Sequence, residues 1–519
     1  MIFKIKSSLK NNKILFHTVT LMILSLMSKL VGILRDRILT SNFGVGDIAD
    51  SYQSAFKIPD LIFGILVLGT LSSAFIPVFN QLLHKKNLKE AQDLVDDVLV
   101  IVFFIMGALS LIMFFGAPYL VRIVAISYEG EKLQNTIDLM RIMAFSPLIF
   151  SLSSVFTSIL NTYKKFISAA IAPIFYNIGI IIGIAFLYPR VGVEGLGYGV
   201  VLGAILHLLV QIPAFIGTKF PFKFTFGFNF NNLRKLWNLY WPRILVIDIS
   251  MISMFIGTSI ASTKEKAVSV FNFAFNLNTI AIGIIVVAFV TAIFPYLTES
   301  YAQNRKKDFR NYVNITIMRI LFALIPITFL MLNYRAQLVR IVYGSGKFDW
   351  EATNLVYKTF TAFVISLPFQ GLIPLFSRVL YARHDTKTPM YIGLFSIILT
   401  VISSNILSSI YGVVGVALAF SFSIFVVCLI YGYVVFKVTK NYYLNQIIEY
   451  SSKVLISSLI MIIPAFGIKT LYGLFIDVDG LVNVSLQVML SSAPAILVYY
   501  YIVRKWNLIA PLELNKKIK

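Results

Sequence analysis

Charged side chains inside apolar runs are costly, and a chain that keeps them usually uses them for a substrate or an ion. This sequence concentrates them near its start. Lys29, Arg35, Asp36 and Arg37 lie in the first apolar run, and Asp50, Lys57 and Asp60 open the second. Lys29 and Asp36 are seven residues apart, two helical turns, so they can share a face. Arg35 lies within about a quarter turn of that stripe. Cations placed this way suit an anionic headgroup such as a diphosphate, because the guanidinium fork matches phosphate oxygens. Plainer roles fit as well. Arg35, Asp36 and Arg37 can form a self-paired interfacial cluster, while Lys57 and Asp60 beside Pro59 can snorkel or cap a helix. Lys29, between Ile23 and Ile33, is the hardest of them to explain structurally.

The second half is poorer in charge. Arg243 and Asp248 open its first run, with Arg243 beside Pro242 as an interface anchor would be, and the next run carries only the amides Asn272, Asn276 and Asn278. Other chemistries find little support. The single cysteine, Cys428, allows neither an intrachain disulfide nor a thiolate metal site, and the four histidines (His17, His84, His207, His384) are scattered. No carboxylate pair, nucleophile–base pair or phosphate-binding loop is present; Phe43-Gly44-Val45-Gly46 is half a nucleotide fingerprint in the wrong setting. The expectation is a protein that is not an enzyme and needs no metal or cofactor.

The elements that must position these residues follow from composition. Of 519 residues 58% are hydrophobic and 13% charged, with mean hydropathy +0.83. Soluble proteins carry about 25% charged residues, so this chain cannot cover a large globule with a charged skin. A net charge of +22 would suggest nucleic acid in a soluble protein, but here the basic residues sit in short gaps between apolar runs. Crossing a hydrocarbon core of about 30 Å takes about 20 helical residues. Fourteen such runs are expected, at roughly 14–41, 51–83, 91–124, 135–162, 166–188, 195–217, 236–261, 267–300, 310–342, 352–382, 388–409, 412–437, 450–472 and 481–503. The first follows Lys4, Lys6, Lys10 and Lys13 and is too long for a cleaved leader, so it reads as a retained helix.

Even-numbered gaps carry clusters such as Lys85/Lys86/Lys89, Lys164/Lys165, Arg305/Lys306/Lys307/Arg310 and Arg383/Lys387, and odd gaps carry little. The positive-inside rule then puts both termini in the cytoplasm. A repeat is also visible. Ser51 to Pro77 spaces like Ser269 to Pro295, Leu160-Asn161-Thr162 like Leu380-Tyr381-Ala382, and Gly192 to Gly195 like Gly412 to Gly415, all roughly 220 residues apart. The fold expected is an all-α polytopic membrane protein with two pseudo-symmetric six-helix lobes plus two C-terminal helices around a central cavity. Its parts would be a basic tail 1–13, an N-lobe 14–217, a linker 218–235, a C-lobe 236–437, two last helices 438–503 and a basic tail 504–519.

With these residues in place, the chain resembles the MurJ (MviN) lipid II flippase family of the MOP exporter superfamily. The resemblance rests on Lys29-Leu-Val-Gly-Ile-Leu-Arg35-Asp36, Asn42-Phe-Gly-Val-Gly, Asp50, Ala55-Phe-Lys-Ile-Pro59, Gly69 and Ser73-Ala-Phe-Ile-Pro77. A second set is Tyr343-Gly-Ser-Gly-Lys-Phe348 and Tyr381-Ala-Arg-His-Asp-Thr-Lys-Thr-Pro389. The resemblance implies a flippase in the bacterial plasma membrane that moves undecaprenyl-diphosphate disaccharide-pentapeptide from the inner to the outer leaflet by alternating access. Its partners would be that lipid-linked anionic precursor, membrane lipids at a groove of the last two helices, and cell-wall synthesis machinery, with no nucleic acid. Carried over by motif position, Arg35 matches a cavity arginine, Lys29 another cavity cation, and Asp36 and Asp50 acids of the same motifs. Lys57 is a further candidate, and Asn276 stands where the family has arginine. Pro59-Asp-Leu-Ile-Phe63-Gly64 likewise lacks the family's arginine pair, Val67-Leu68-Gly69 lacks its glutamate, and Gly257 stands where the family often has Asp or Asn. These departures leave two alternatives: a flippase for another polyprenyl-diphosphate-linked glycan, or a non-transporting scaffold. A drug/cation antiporter fits the motifs less well, and coupling to an ion or to the membrane potential is left open.

Overall fold

A computed structural model describes residues 13–67, 70–85, 87–221, 249–439 and 443–509. Arg243, Asp248, Gly69, most of the linker and most of both basic tails lie outside these residues. Among the described residues there are helices and no strand. In chain order they are α1 (Lys13–Phe43), α2 (Asp47–Ala55), α3 (Lys57–Leu66), α4 (Thr70–His84), α5 (Leu88–Val124), α6 (Gly130–Met143), α7 (Ser146–Thr162) and α8 (Phe166–Ile182). A π-helical turn, Gly183–Leu187, leads to α9 (Tyr188–Val191), α10 (Glu194–Leu209) and α11 (Ile212–Ile216). Next come α12 (Ile249–Ala261), α13 (Ala267–Ala302), α14 (Lys306–Asn333), α15 (Arg335–Tyr343), α16 (Trp350–Val364) and α17 (Leu367–Tyr381). The last three are α18 (Lys387–Val438), α19 (Leu444–Phe475) and α20 (Gly480–Lys505).

Nine helices among the described residues are long and apolar enough to cross a membrane, or ten if the bent pair α16–α17 is one span. The expected fourteen is therefore not reached, for identifiable reasons. The second expected span is divided among α2, α3 and α4. α12 is short because the described residues begin at 249, and α18 joins two expected spans in one 52-residue run that turns at Gly412.

The chain divides into two compact units, residues 1–255 and 256–519. In the first, α8 and the π-helical turn that follows it pack face to face with α10, Gly179 and Gly183 against Gly203 and Gly199, where any Cβ would strike the facing backbone. Small residues four apart are how helices approach closely where no hydrophobic drive exists between them. α1 lies along the same α8, with Gly32 against Asn177. Phe75, Phe79, Leu94, Val98 and Ile159 form an apolar core for α4, α5 and α7. The second unit has its own core, with Val286, Leu297, Ile320, Leu324, Leu375 and Tyr431 from α13, α14, α17 and α18, and Cys428 is buried in it.

The repeat is visible in local geometry. Gly192 (φ 69°, ψ −149°) and Gly412 (φ 59°, ψ −137°) adopt the same left-handed turn, which side chains with a Cβ rarely accept. Gly195 and Gly415, three residues on, each press against the end of the preceding helix.

Candidate functional site

The charges of α1 meet α8. Arg35 donates from Nε and Nη2 to Asp36 Oδ1 at 2.9 and 2.6 Å, and from Nη1 to Asn177 Oδ1 at 2.9 Å. Asn177 in turn donates from Nδ2 to the Pro173 carbonyl at 3.0 Å, which fixes its amide. Three of the five guanidinium N–H groups are thereby used to hold the plane, and the other two remain as donors. The Arg35–Asp36 pairing of the plainer reading is real, but the α8 amide adds an orientation that a surface pair would not have. Arg35 and Asp36 keep 25% and 13% of their side-chain exposure, so the cluster is enclosed yet reachable. Lys29, Gly32 and Asp36 follow one another on one stripe of α1, at spacings of three and four. Lys29 is half-buried and makes no hydrogen bond or ion pair among the described residues.

α2 and α3 bring the next charges. Pro59 cannot donate to the Ala55 carbonyl, and the helix is interrupted at Phe56 between them. Lys57 and Asp60 therefore stand in the first turn of α3, and Asp60 lies within electrostatic range of Lys57 and Arg35. Tyr52 and Tyr176 border the same group. Asp50 has a separate role. It is fully buried, and Lys132 Nζ bonds its Oδ2 at 2.8 Å and Asp47 Oδ1 at 2.8 Å while lying over the Tyr128 ring. Ser51 donates to the Lys132 carbonyl and Ser54 bonds the Tyr128 hydroxyl, so Asp50 belongs to a clamp between α2 and the start of α6.

A cavity of about 210 Å³ opens beside Asp60, lined by Phe63, Phe150, Tyr176, His207, Ser146 and three prolines. Behind His207 runs a chain of polar groups that charge and spacing did not reveal. Gln211 Nε2 donates to Ser153 Oγ at 2.7 Å, Thr157 donates to Gln211 Oε1 at 2.9 Å, and Ser153 Oγ lies 2.7 Å from His207 Nδ1. Ser153 thus accepts from Gln211 and reaches both His207 Nδ1 and, at 3.5 Å, the His207 carbonyl. Asn177, Lys132, Ser153 and Gln211 were missed because each sits 54 to 142 residues from its partner. The available signal was an amide or hydroxyl within an apolar run.

In unit two the charged groups, such as Arg319 of α14 and Lys469 of α19, whose Nζ donates to the Asn333 carbonyl at 2.7 Å, lie apart from a neutral polar network. Asn278 donates to Gln370 Oε1 at 2.9 Å, Gln370 donates to Ser366 at 2.8 Å, and Ser366 meets Ser421 at 2.8 Å. Asn272 bonds its own helix at the Val268 carbonyl. The Asn276 side chain is half-buried and makes no hydrogen bond among the described residues, next to Phe275, which packs on Phe363 and Phe420. Among the described residues no group of three or more His, Cys, Asp or Glu could hold a metal ion.

Comparison with known proteins adds a further line. The sequence model of the family described as "Lipid II flippase MurJ" matches residues 39–486. A relative from Borreliella burgdorferi, named "Probable lipid II flippase MurJ", is 27% identical over 467 residues, covering 89% of this chain and 91% of its own. Among solved structures, one described as lipid II flippase MurJ in an inward closed conformation superposes with TM-score 0.77 at 24% identity, covering 94% of this chain and 98% of that one. An inward-facing multidrug resistance MATE family transporter of the MOP superfamily gives TM-score 0.70 at 16% identity, covering 81% and 98%. At these identities the two structures speak for the fold.

Proposed function

The chain belongs to the lipid II flippase MurJ family, and from that premise we propose that it carries lipid II, the undecaprenyl-diphosphate disaccharide-pentapeptide, from the inner to the outer leaflet of a bacterial plasma membrane. It is a transporter, working by alternating access of two lobes, 14–217 and 236–437, with both termini in the cytoplasm. The observation that carries the site is the oriented guanidinium of Arg35, held by Asp36 and Asn177 with two donors to spare. A diphosphate oxygen pair matches that fork. Lys29 adds a second positive charge on the same stripe of α1, without a protein partner among the described residues to compete for it. Lys57 and Asp60 complete a group that is dipolar rather than purely cationic. Asp36 orients Arg35, Asp50 braces α2, and Asn276 on α13 is a further, neutral candidate for contact with substrate.

The scaffold alternative would not call for an oriented arginine inside an apolar helix pair. Depletion rescue separates the two readings. In cells deprived of their own lipid II flippase, the wild-type chain restores growth and Arg35→Ala does not. Failure of the wild type to rescue, at verified membrane levels, removes the lipid II reading. Unimpaired rescue by both Lys29→Ala and Arg35→Ala removes the site.

A further inference from the structure

The Asp60 cavity does not match the diphosphate chemistry assigned to Arg35. Its walls are aromatic: Phe63 and Phe150 are 5.5 Å apart between centroids, Phe150 and Tyr176 4.9 Å, and Phe150 and His207 5.3 Å. Asp60 is the one carboxylate lining it, and that side chain is exposed to the cavity. Lys57 on the same helix and Arg35 on α1 are near enough to feel it, yet neither closes an ion pair or hydrogen bond with it. Tyr176 of α8 and His207 of α10 face it from the other walls, and the His207 ring is engaged at Nδ1 by Ser153 Oγ at 2.7 Å. An anion would meet a carboxylate and ring faces here, both repulsive. A bare calcium or magnesium ion takes about six or more oxygens, and the lining side chains offer only the Asp60 carboxylate and the Ser146 and Tyr176 hydroxyls, with no second acid. A primary ammonium fits: one carboxylate for its charge, ring faces for the rest, and a cavity of about 210 Å³ for the end of an alkyl chain.

Resting on the function proposed above, we infer that this cavity holds a primary ammonium of the headgroup's peptide, so that Asp60 makes the transporter selective for peptides with a free side-chain amine. The headgroup is then gripped at two points of opposite sign. Arg35 and Lys29 take the diphosphate, and Asp60 takes the amine.

The test is binding of two probes to the full chain in nanodiscs: lipid II with lysine in its peptide, and the same molecule acetylated on the lysine side chain. Acetylation removes the charge and leaves the diphosphate, sugars and lipid unchanged. The expected result is a loss of about tenfold in affinity on acetylation for the wild type, and less than about twofold for Asp60→Asn. Equal affinities of the wild type for both probes overturn the inference while leaving the lipid II reading in place. A tenfold loss that persists in Asp60→Asn overturns the assignment to Asp60. Binding of neither probe by the wild type removes both readings together. The wild-type comparison needs no variant, so it holds even where Asp60→Asn fails to fold.

Discussion

The same repeat segment is folded two ways in this molecule. In unit one the stretch from Ser51 to Pro77 is interrupted at Phe56, leaves helix after Leu66, and carries Lys57 and Asp60. In unit two its counterpart from Ser269 to Pro295 runs inside the single 36-residue helix α13 and carries no charged residue. One residue accounts for the first interruption: Pro59 removes a helical hydrogen bond where the counterpart, Leu277, keeps it. Breaks and charge go together because a broken helix gives polar groups room to turn toward a cavity, and a continuous apolar helix does not. The difference teaches that the two halves of a repeat need not share the chemistry. Unit one holds the charged groups that suit an ionic headgroup, and unit two holds a neutral network of amides and hydroxyls.

That contrast can be broken at several points. The largest effect is expected at the clamp. Lys132→Met leaves Asp50 buried without its cation, a loss of about 3–5 kcal/mol. Thermal unfolding of the purified protein should show it, with much of the loss recovered in the Asp50→Asn, Lys132→Met double variant. Next is Arg35→Lys, which keeps the charge and discards the fork. Affinity for lipid II should fall about tenfold with unfolding temperature nearly unchanged. Lys29→Ala removes one point charge and should cost about fivefold in affinity. The smallest effect belongs to unit two: Asn278→Ala should cost about 0.6 kcal/mol of stability, an ordinary interhelical hydrogen bond, with affinity unchanged. A loss of affinity at Asn278 comparable to that at Arg35 would erase the contrast between the units.

Much of the architecture was legible in the sequence because membrane spans are written in long apolar runs, and the turn at Gly192 and Gly412 because only glycine takes that backbone readily. Arg35 and Asp36 stood out as charges where charge is expensive. Their partner did not. Asn177 is a single amide in the run Phe166–Ile182, and an amide there can satisfy itself on its own helix, as its Nδ2 does on Pro173. Asp50 looked equivalent to Asp36 by motif position, and only the fold shows that it is consumed by Lys132. His207 was counted as scattered, although Ser153, itself bonded by Gln211, ties its ring to the cavity wall. Distances along the chain set these limits, since type and spacing report one helix at a time.

The most direct measurement is flipping itself, with fluorescent lipid II in liposomes containing the purified chain. The wild type should expose the inner-leaflet probe to an external quencher. Arg35→Ala should fall to the rate of protein-free liposomes, and Asn276→Ala should stay within about twofold of the wild type. A wild-type rate for Arg35→Ala, alongside a collapsed rate for Asn276→Ala, would contradict the account.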